Sequence, residues 1–131
     1  HPDGGTAYCL YADNQKIAYV TDNELTPDKP PVTSWQEWLD FIDQADVLIH
    51  DAQYLEEDMP LKKGWGHSTV DQVVELALQA KVKRLYFISH APARTDQELL
   101  TFETLLRTKY QDQLLIEFAR EGTQVELTTT L

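Results

Sequence analysis

Polar and apolar positions along the chain change period from one stretch to the next, and each period predicts a different element. Residues 6–12 and 16–21 read as two strands joined by turn chemistry at Asp13-Asn14-Gln15, a hairpin signal. Residues 25–32 (LTPDKPPV) are a proline-rich connection that cannot form helix. A helix is expected to start at Thr33 or Ser34, because Ser34-x-x-Glu37 has the form of a capping box. Trp35, Trp38, Leu39 and Ile42 then fall on one helical face. Two continuous apolar runs follow, Val47-Leu48-Ile49 and Leu85-Tyr86-Phe87-Ile88. Between them, residues 68–80 form a helical pattern with Val70, Val73, Val74, Ala77 and Leu78 on its inner face. Continuous apolar runs flanking a helix are the pattern of parallel strands buried on both faces in a βαβ unit. A third helix is expected over 96–110, capped by Thr95-x-x-Glu98 and burying Leu99, Phe102 and Leu106. Strands at 114–119 and 124–128, around Glu121-Gly122-Thr123, close an α/β chain with a mixed sheet and about three helices.

Composition narrows the function. The 131 residues suit one domain with a real core, and 42% hydrophobic with 25% charged residues is ordinary for a globular chain. Acidic residues outnumber basic ones by 22 to 11, for a net charge of −11. That balance speaks against a broad phosphate-backbone footprint, so nucleic acid is not the expected partner. A small phosphorylated substrate remains compatible, since a metal ion supplies positive charge locally. The single cysteine, Cys9, cannot form an internal disulfide and fits a reducing compartment such as the cytoplasm. Its neighbours Tyr8, Leu10 and Tyr11 mark it as strand filler. No run approaches the ~18 apolar residues of a membrane span. The first residues, His1-Pro2-Asp3, lack an initiating Met, which raises the expectation of a piece of a longer protein.

The residues with chemistry to offer are His1, Asp22, Asp51, His67 and His90. Singly, each has a plain structural reading. Asp22 lies in turn composition (TDNE), His67 flanks a helix, and His90 follows a strand where it can bond backbone. His50 points away from Asp51 in a regular strand and is assigned to packing, as are Trp35 and Trp38. Glu56, Glu57 and Asp58 read as a solvated acidic loop. Taken together, Asp22, Asp51 and His90 each close an apolar strand, and His67 opens the helix between the last two strands. In parallel sheets, ligands gather at the carboxyl ends of strands. Imidazole and carboxylate converging there suit zinc or another borderline divalent ion, and an Asp–His pair beside it could move a proton.

These residues resemble, in order, the C-terminal half of a metallo-β-lactamase-fold hydrolase of the RNase Z and phosphodiesterase branch. His1-x-x-x-x-x-x-Tyr8 is similar to the segment in which a metal-binding histidine precedes a Gly-Tyr strand, with Ala7 in place of the glycine. Tyr19-Val20-Thr21-Asp22 resembles the strand whose terminal aspartate bridges two metals. Ile49-His50-Asp51-Ala52-Gln53-Tyr54 is similar to the His-Glu-Ala-Thr segment of RNase Z, with Asp51 replacing the glutamate. Gly66-His67-Ser68-Thr69 matches the downstream His-Ser-Thr segment, Ser89-His90 resembles the final metal histidine, and Ala119-Arg120-Glu121-Gly122 fits the closing hairpin.

The resemblance implies half of an αββα sandwich, with residues 1–131 as the C-terminal half of a single domain. The principal metal signature, His-x-His-x-Asp-His, occurs nowhere in the sequence. The implied parent is a phosphodiesterase for a small phosphodiester or cyclic nucleotide, using hydroxide activated by two divalent ions (zinc, with manganese or iron as alternatives). His1, Asp22 and His90 would be metal ligands, and Asp51 would orient His67 as the proton donor. Alone, this half would hold metal weakly, be inactive, and leave an apolar face for the missing N-terminal half. Self-association into a homo-oligomer stays open. The alternative from another class is a non-catalytic half-domain, an assembly module with vestigial ligands. A flavodoxin-like nucleotide binder fails for want of a glycine-rich loop after the first strand.

Overall fold

The computed structural model describes residues 7–20, 34–51, 69–88 and 96–119. They form a five-stranded sheet and three helices: β1 (Ala7–Ala12), β2 (Gln15–Val20), α1 (Trp35–Ile42), β3 (Val47–Asp51), α2 (Val70–Gln79), β4 (Arg84–Ile88), α3 (Asp96–Tyr110) and β5 (Leu115–Phe118). Sheet order equals chain order. β1 pairs antiparallel with β2, and every later pairing is parallel. The expected mixed α/β sheet with three helices is therefore present. His1, Asp22, His67 and His90 lie outside the described residues, as do the Thr95 cap, the acidic loop at 56–58 and the strand expected at 124–128.

Local chemistry explains each element. Asp13 and Asn14 both take positive φ, 50° and 64°. Asp and Asn tolerate the left-handed region, and two such residues in succession make the turn whose twist matches a hairpin. α1 is closed at its start by the expected capping box: Ser34 Oγ accepts from the Glu37 N–H, and Glu37 Oε1 accepts from the Ser34 N–H. α2 repeats the device with Thr69 and Gln72, so the helix proper begins two residues later than its apolar pattern suggests. Its far end is a Schellman turn, in which Val82 N–H reaches Ala77 O and Lys81 N–H reaches Leu78 O. Lys81 sits at φ 58° in the position glycine usually fills.

A sheet that steps steadily in one direction places its crossover helices on a single face. Two rows of side chains face them: Ala18, Leu48, Leu85 and Ile116, then Val20, His50, Phe87 and Phe118. Ile42, Val73, Val74, Leu76 and Ala77 cover these rows, with Phe102 and Leu106 packed at the margin. Each fully buried Leu, Ile or Phe contributes about 1.5–3 kcal/mol. Trp35 and Trp38 pack, as expected. Trp38 meets Phe41 edge-on at 5.9 Å, and Trp35 Nε1 donates to Gln79 Oε1 across α1 and α2. Cys9 is half-buried, and its thiol donates to Phe41 O. At the margin of the sheet, Arg107 of α3 donates to Ile116 O and to Glu117 Oε1, fastening the last helix to the last strand.

Asp46 braces the edge where the parallel strands begin. Its carboxylate accepts from the Lys16 N–H at 2.8 Å and from Lys83 Nζ at 2.9 Å, tying the hairpin to the strand entrance at β4. Burial pushes this carboxyl up, but the Lys16 N–H and the Lys83 ammonium outweigh it, and the net shift is downward.

Two predictions follow from these contacts. Lys81→Gly relieves a left-handed non-glycine residue and should raise stability by about 0.5–1 kcal/mol in urea denaturation, after the larger entropy of the unfolded glycine chain is subtracted. Because Asp46 has a lower pKa folded than unfolded, its stabilisation is complete above the ordinary carboxylate value of about 3.9. It is lost as pH falls through the depressed value. Acid titration of the unfolding midpoint should show a shallower low-pH decline in Asp46→Asn than in the natural protein.

Candidate active-site edge

The parallel strands finish almost flush. Val20 pairs with His50, His50 with Phe87, and Asp51 with Ile88, so β2, β3 and β4 end within about one residue of a common line. Asp51 is the last residue of β3, the middle strand of the sheet, and is fully buried. The C-terminal end of α2 lies at the opposite edge, where Gln44 N–H donates to Ala80 O at 2.7 Å and Lys83 N–H to Ala45 O. α2 runs back along the sheet, and its first turn therefore belongs to the edge that carries Asp51. Thr69, fully buried, caps that turn.

Of the five residues singled out in the sequence, the structure places Asp51 at this edge. The other four fall outside the described residues. Asp22 and His90 each lie two residues past a strand end, Val20 and Ile88, and His67 lies two residues before the Thr69 cap. Among the described residues, no group of three or more His, Cys, Asp or Glu side chains is arranged to hold a metal ion. Among the same residues, no helix is long and apolar enough to cross a membrane.

His50 stands one residue before the end of β3. It is buried on the helix-covered face, as assigned from strand alternation, but it is also tied to Asp51. Its Nδ1 lies 2.7 Å from the Asp51 main-chain oxygen and 3.6 Å from Asp51 Oδ1. Because a carbonyl only accepts, Nδ1 carries the proton. Nε2 is buried without a hydrogen-bond partner among the described residues. Burial drives the pKa of the ring down, against the pull of the Asp51 charge, and so keeps it neutral. An unsatisfied buried acceptor of this kind costs about 1–3 kcal/mol. The sequence carried a signal for this, a lone histidine in the otherwise apolar run VLIHD, but periodicity describes only the direction in which it points.

A family model described as a beta-lactamase superfamily domain matches residues 3–90. The chain belongs to that superfamily. A ribonuclease Z from Gemmatimonas aurantiaca is 35% identical over 86 residues, which is 66% of this chain and 26% of that protein. The chain thus spans about a quarter of the length of the curated relative. A metallo-beta-lactamase fold protein from Bacillus subtilis superposes with a TM-score of 0.67 at 14% identity, over 89% of this chain and 41% of its own. The short form of human tRNase Z superposes with a TM-score of 0.61 at 18% identity, over 94% of this chain and 38% of its own. The described sheet and helices have the fold expected of the superfamily.

Thr69→Val keeps the volume of the buried cap and removes its oxygen. It should cost about 1 kcal/mol in equilibrium unfolding, because the Gln72 N–H loses its acceptor.

Proposed function

We propose that the protein carrying this chain is a metal-dependent hydrolase of phosphodiester bonds, with the strand-end edge around Asp51 as part of its active site. The observation that carries this reading is a buried carboxylate closing the middle strand of a flush parallel set, in a member of the β-lactamase superfamily. In this reading residues 1–131 are the C-terminal half of one sandwich domain. The sheet face away from the helices supports it: Tyr8, Leu10 and Tyr19 lie on that face, 58%, 59% and 40% exposed, as expected of an inner surface awaiting its other half.

His1, Asp22 and His90 would hold divalent metal, zinc by the softness of two imidazoles and one carboxylate, with manganese or iron as alternatives. When bound, such ions supply Lewis acidity and lower the pKa of water. Asp51, held in place by its strand, orients the imidazole of His67, and His67 delivers the proton to the leaving oxygen.

On substrate, the relatives weigh against the expectation drawn from charge. Proteins named ribonuclease Z favour RNA over a small phosphodiester or cyclic nucleotide. The net charge of −11 describes only this chain, and an RNA-binding surface can be contributed by the rest of the relatives' length. The assembly-module reading has one supporting feature, the absence of the principal metal signature from this chain.

The test uses the complete natural protein with zinc or manganese, assayed on an RNA substrate and on a chromogenic phosphodiester. Metal-dependent cleavage with RNA preferred is expected, falling about 100-fold or more in Asp51→Asn and His90→Ala. Cleavage of the small ester alone would reverse the substrate assignment. A protein that retains no metal and turns over neither substrate is the module instead.

A further inference from the structure

We propose that His50 is a positioning residue for Asp51: through its Nδ1–H it clamps the last carbonyl of β3, and so fixes where the Asp51 carboxylate stands at the strand-end edge. The inference rests on the reading of Asp51 given above and adds a residue to which that reading assigned only packing.

Three observations converge on it. First, the location of the ring makes no sense as simple filling. His50 lies in the row Val20, His50, Phe87, Phe118, under the helices, where its neighbours along the row are apolar and none of its surface reaches solvent. Leucine or phenylalanine would fill that place without an orphaned nitrogen, whereas His50 leaves Nε2 with no partner among the described residues. Second, the hydrogen bond the ring makes among the described residues is directed at the residue of interest. Nδ1 is 2.7 Å from Asp51 O, and the same nitrogen is 3.6 Å from Asp51 Oδ1. A single N–H thus holds the carbonyl and leans toward the carboxylate, restricting both the strand-end peptide and the side chain it carries.

Third, the strand end is where such a clamp is needed. Asp51 is the last residue of β3, with Ile88 opposite it as the last residue of β4. A carboxylate that must orient a partner imidazole tolerates little rotation, and a displacement of about 1 Å at a catalytic group is costly. Burial keeps the ring neutral, so a single tautomer, protonated on Nδ1, persists.

The experiment compares His50→Leu, His50→Asn and Asp51→Asn in the complete natural protein loaded with zinc, beside nitrogen-15 NMR of the histidines in the unsubstituted protein. Asn places an amide N–H close to the position of Nδ1, and Leu places none. We expect His50→Leu to unfold at the same temperature or higher, since an unsatisfied polar atom is removed. Its kcat should fall about tenfold or more with KM unchanged, and His50→Asn should recover most of the loss. NMR should report a neutral ring protonated at Nδ1. The inference is overturned by natural kcat in folded His50→Leu, by an Asn variant no better than Leu, or by a ring protonated at Nε2. Should His50→Leu not fold, the Asn variant and the tautomer decide: natural-like kcat with an Nδ1 proton supports the clamp, and any other pairing overturns it. If Asp51→Asn turns over normally, the reading of Asp51 fails and the clamp with it. If Asp51→Asn is inactive while His50→Leu is fully active, only the clamp fails.

Discussion

The burial of one sheet face beneath three helices is the constraint from which the other features follow. Ala18, Leu48, Leu85 and Ile116 form one cross-strand row, and Val20, His50, Phe87 and Phe118 the next. Side chains alternate between faces with period two, so a slip of one residue in any pairing would turn a buried row outward. Register is thereby locked, and with it the level at which each strand ends. The common edge of β2, β3 and β4 is a by-product of packing before it is a place for chemistry.

The two edges of the sheet divide the work. Where the parallel strands begin, Asp46 joins the hairpin to the entrance of β4 through Lys16 and Lys83, and the Schellman turn of α2 ties in through Ala80 and Gln44. Those contacts are partly exposed, and they contribute through geometry more than through charge, which solvent screens. Where the strands end, polar groups are buried: Asp51, His50 and Thr69 are all fully enclosed. Burying polar groups costs stability unless each bond is made. Their concentration at one edge is what the proposed site rests on.

Much of this was legible in the sequence because the signals were local. The Ser34-x-x-Glu37 pattern announces a capping box, and both reciprocal bonds are present. The third helix runs over the stretch its periodicity marks, 96–110. α2 is shorter at its start than its apolar pattern, since Thr69 is spent on the cap and not on the helix. The charge of the chain bears on substrate only as far as this chain reaches. Net charge belongs to the part of the protein that is counted, and the ribonuclease Z relatives extend well beyond this part.

By itself the sequence determined the elements, their order, and the two faces of each strand, because these depend on side chains a few positions apart. It therefore placed Asp51 at the end of a buried strand and His50 on the side away from it. Only the tertiary structure decided that β2, β3 and β4 stop at one level, that α2 returns its capped end to that edge, and that the buried His50 ring turns onto the carbonyl of the next residue, Asp51. The first two depend on register between segments some 30 residues apart, and the third on the core that encloses the ring. No local pattern encodes a distance across a sheet.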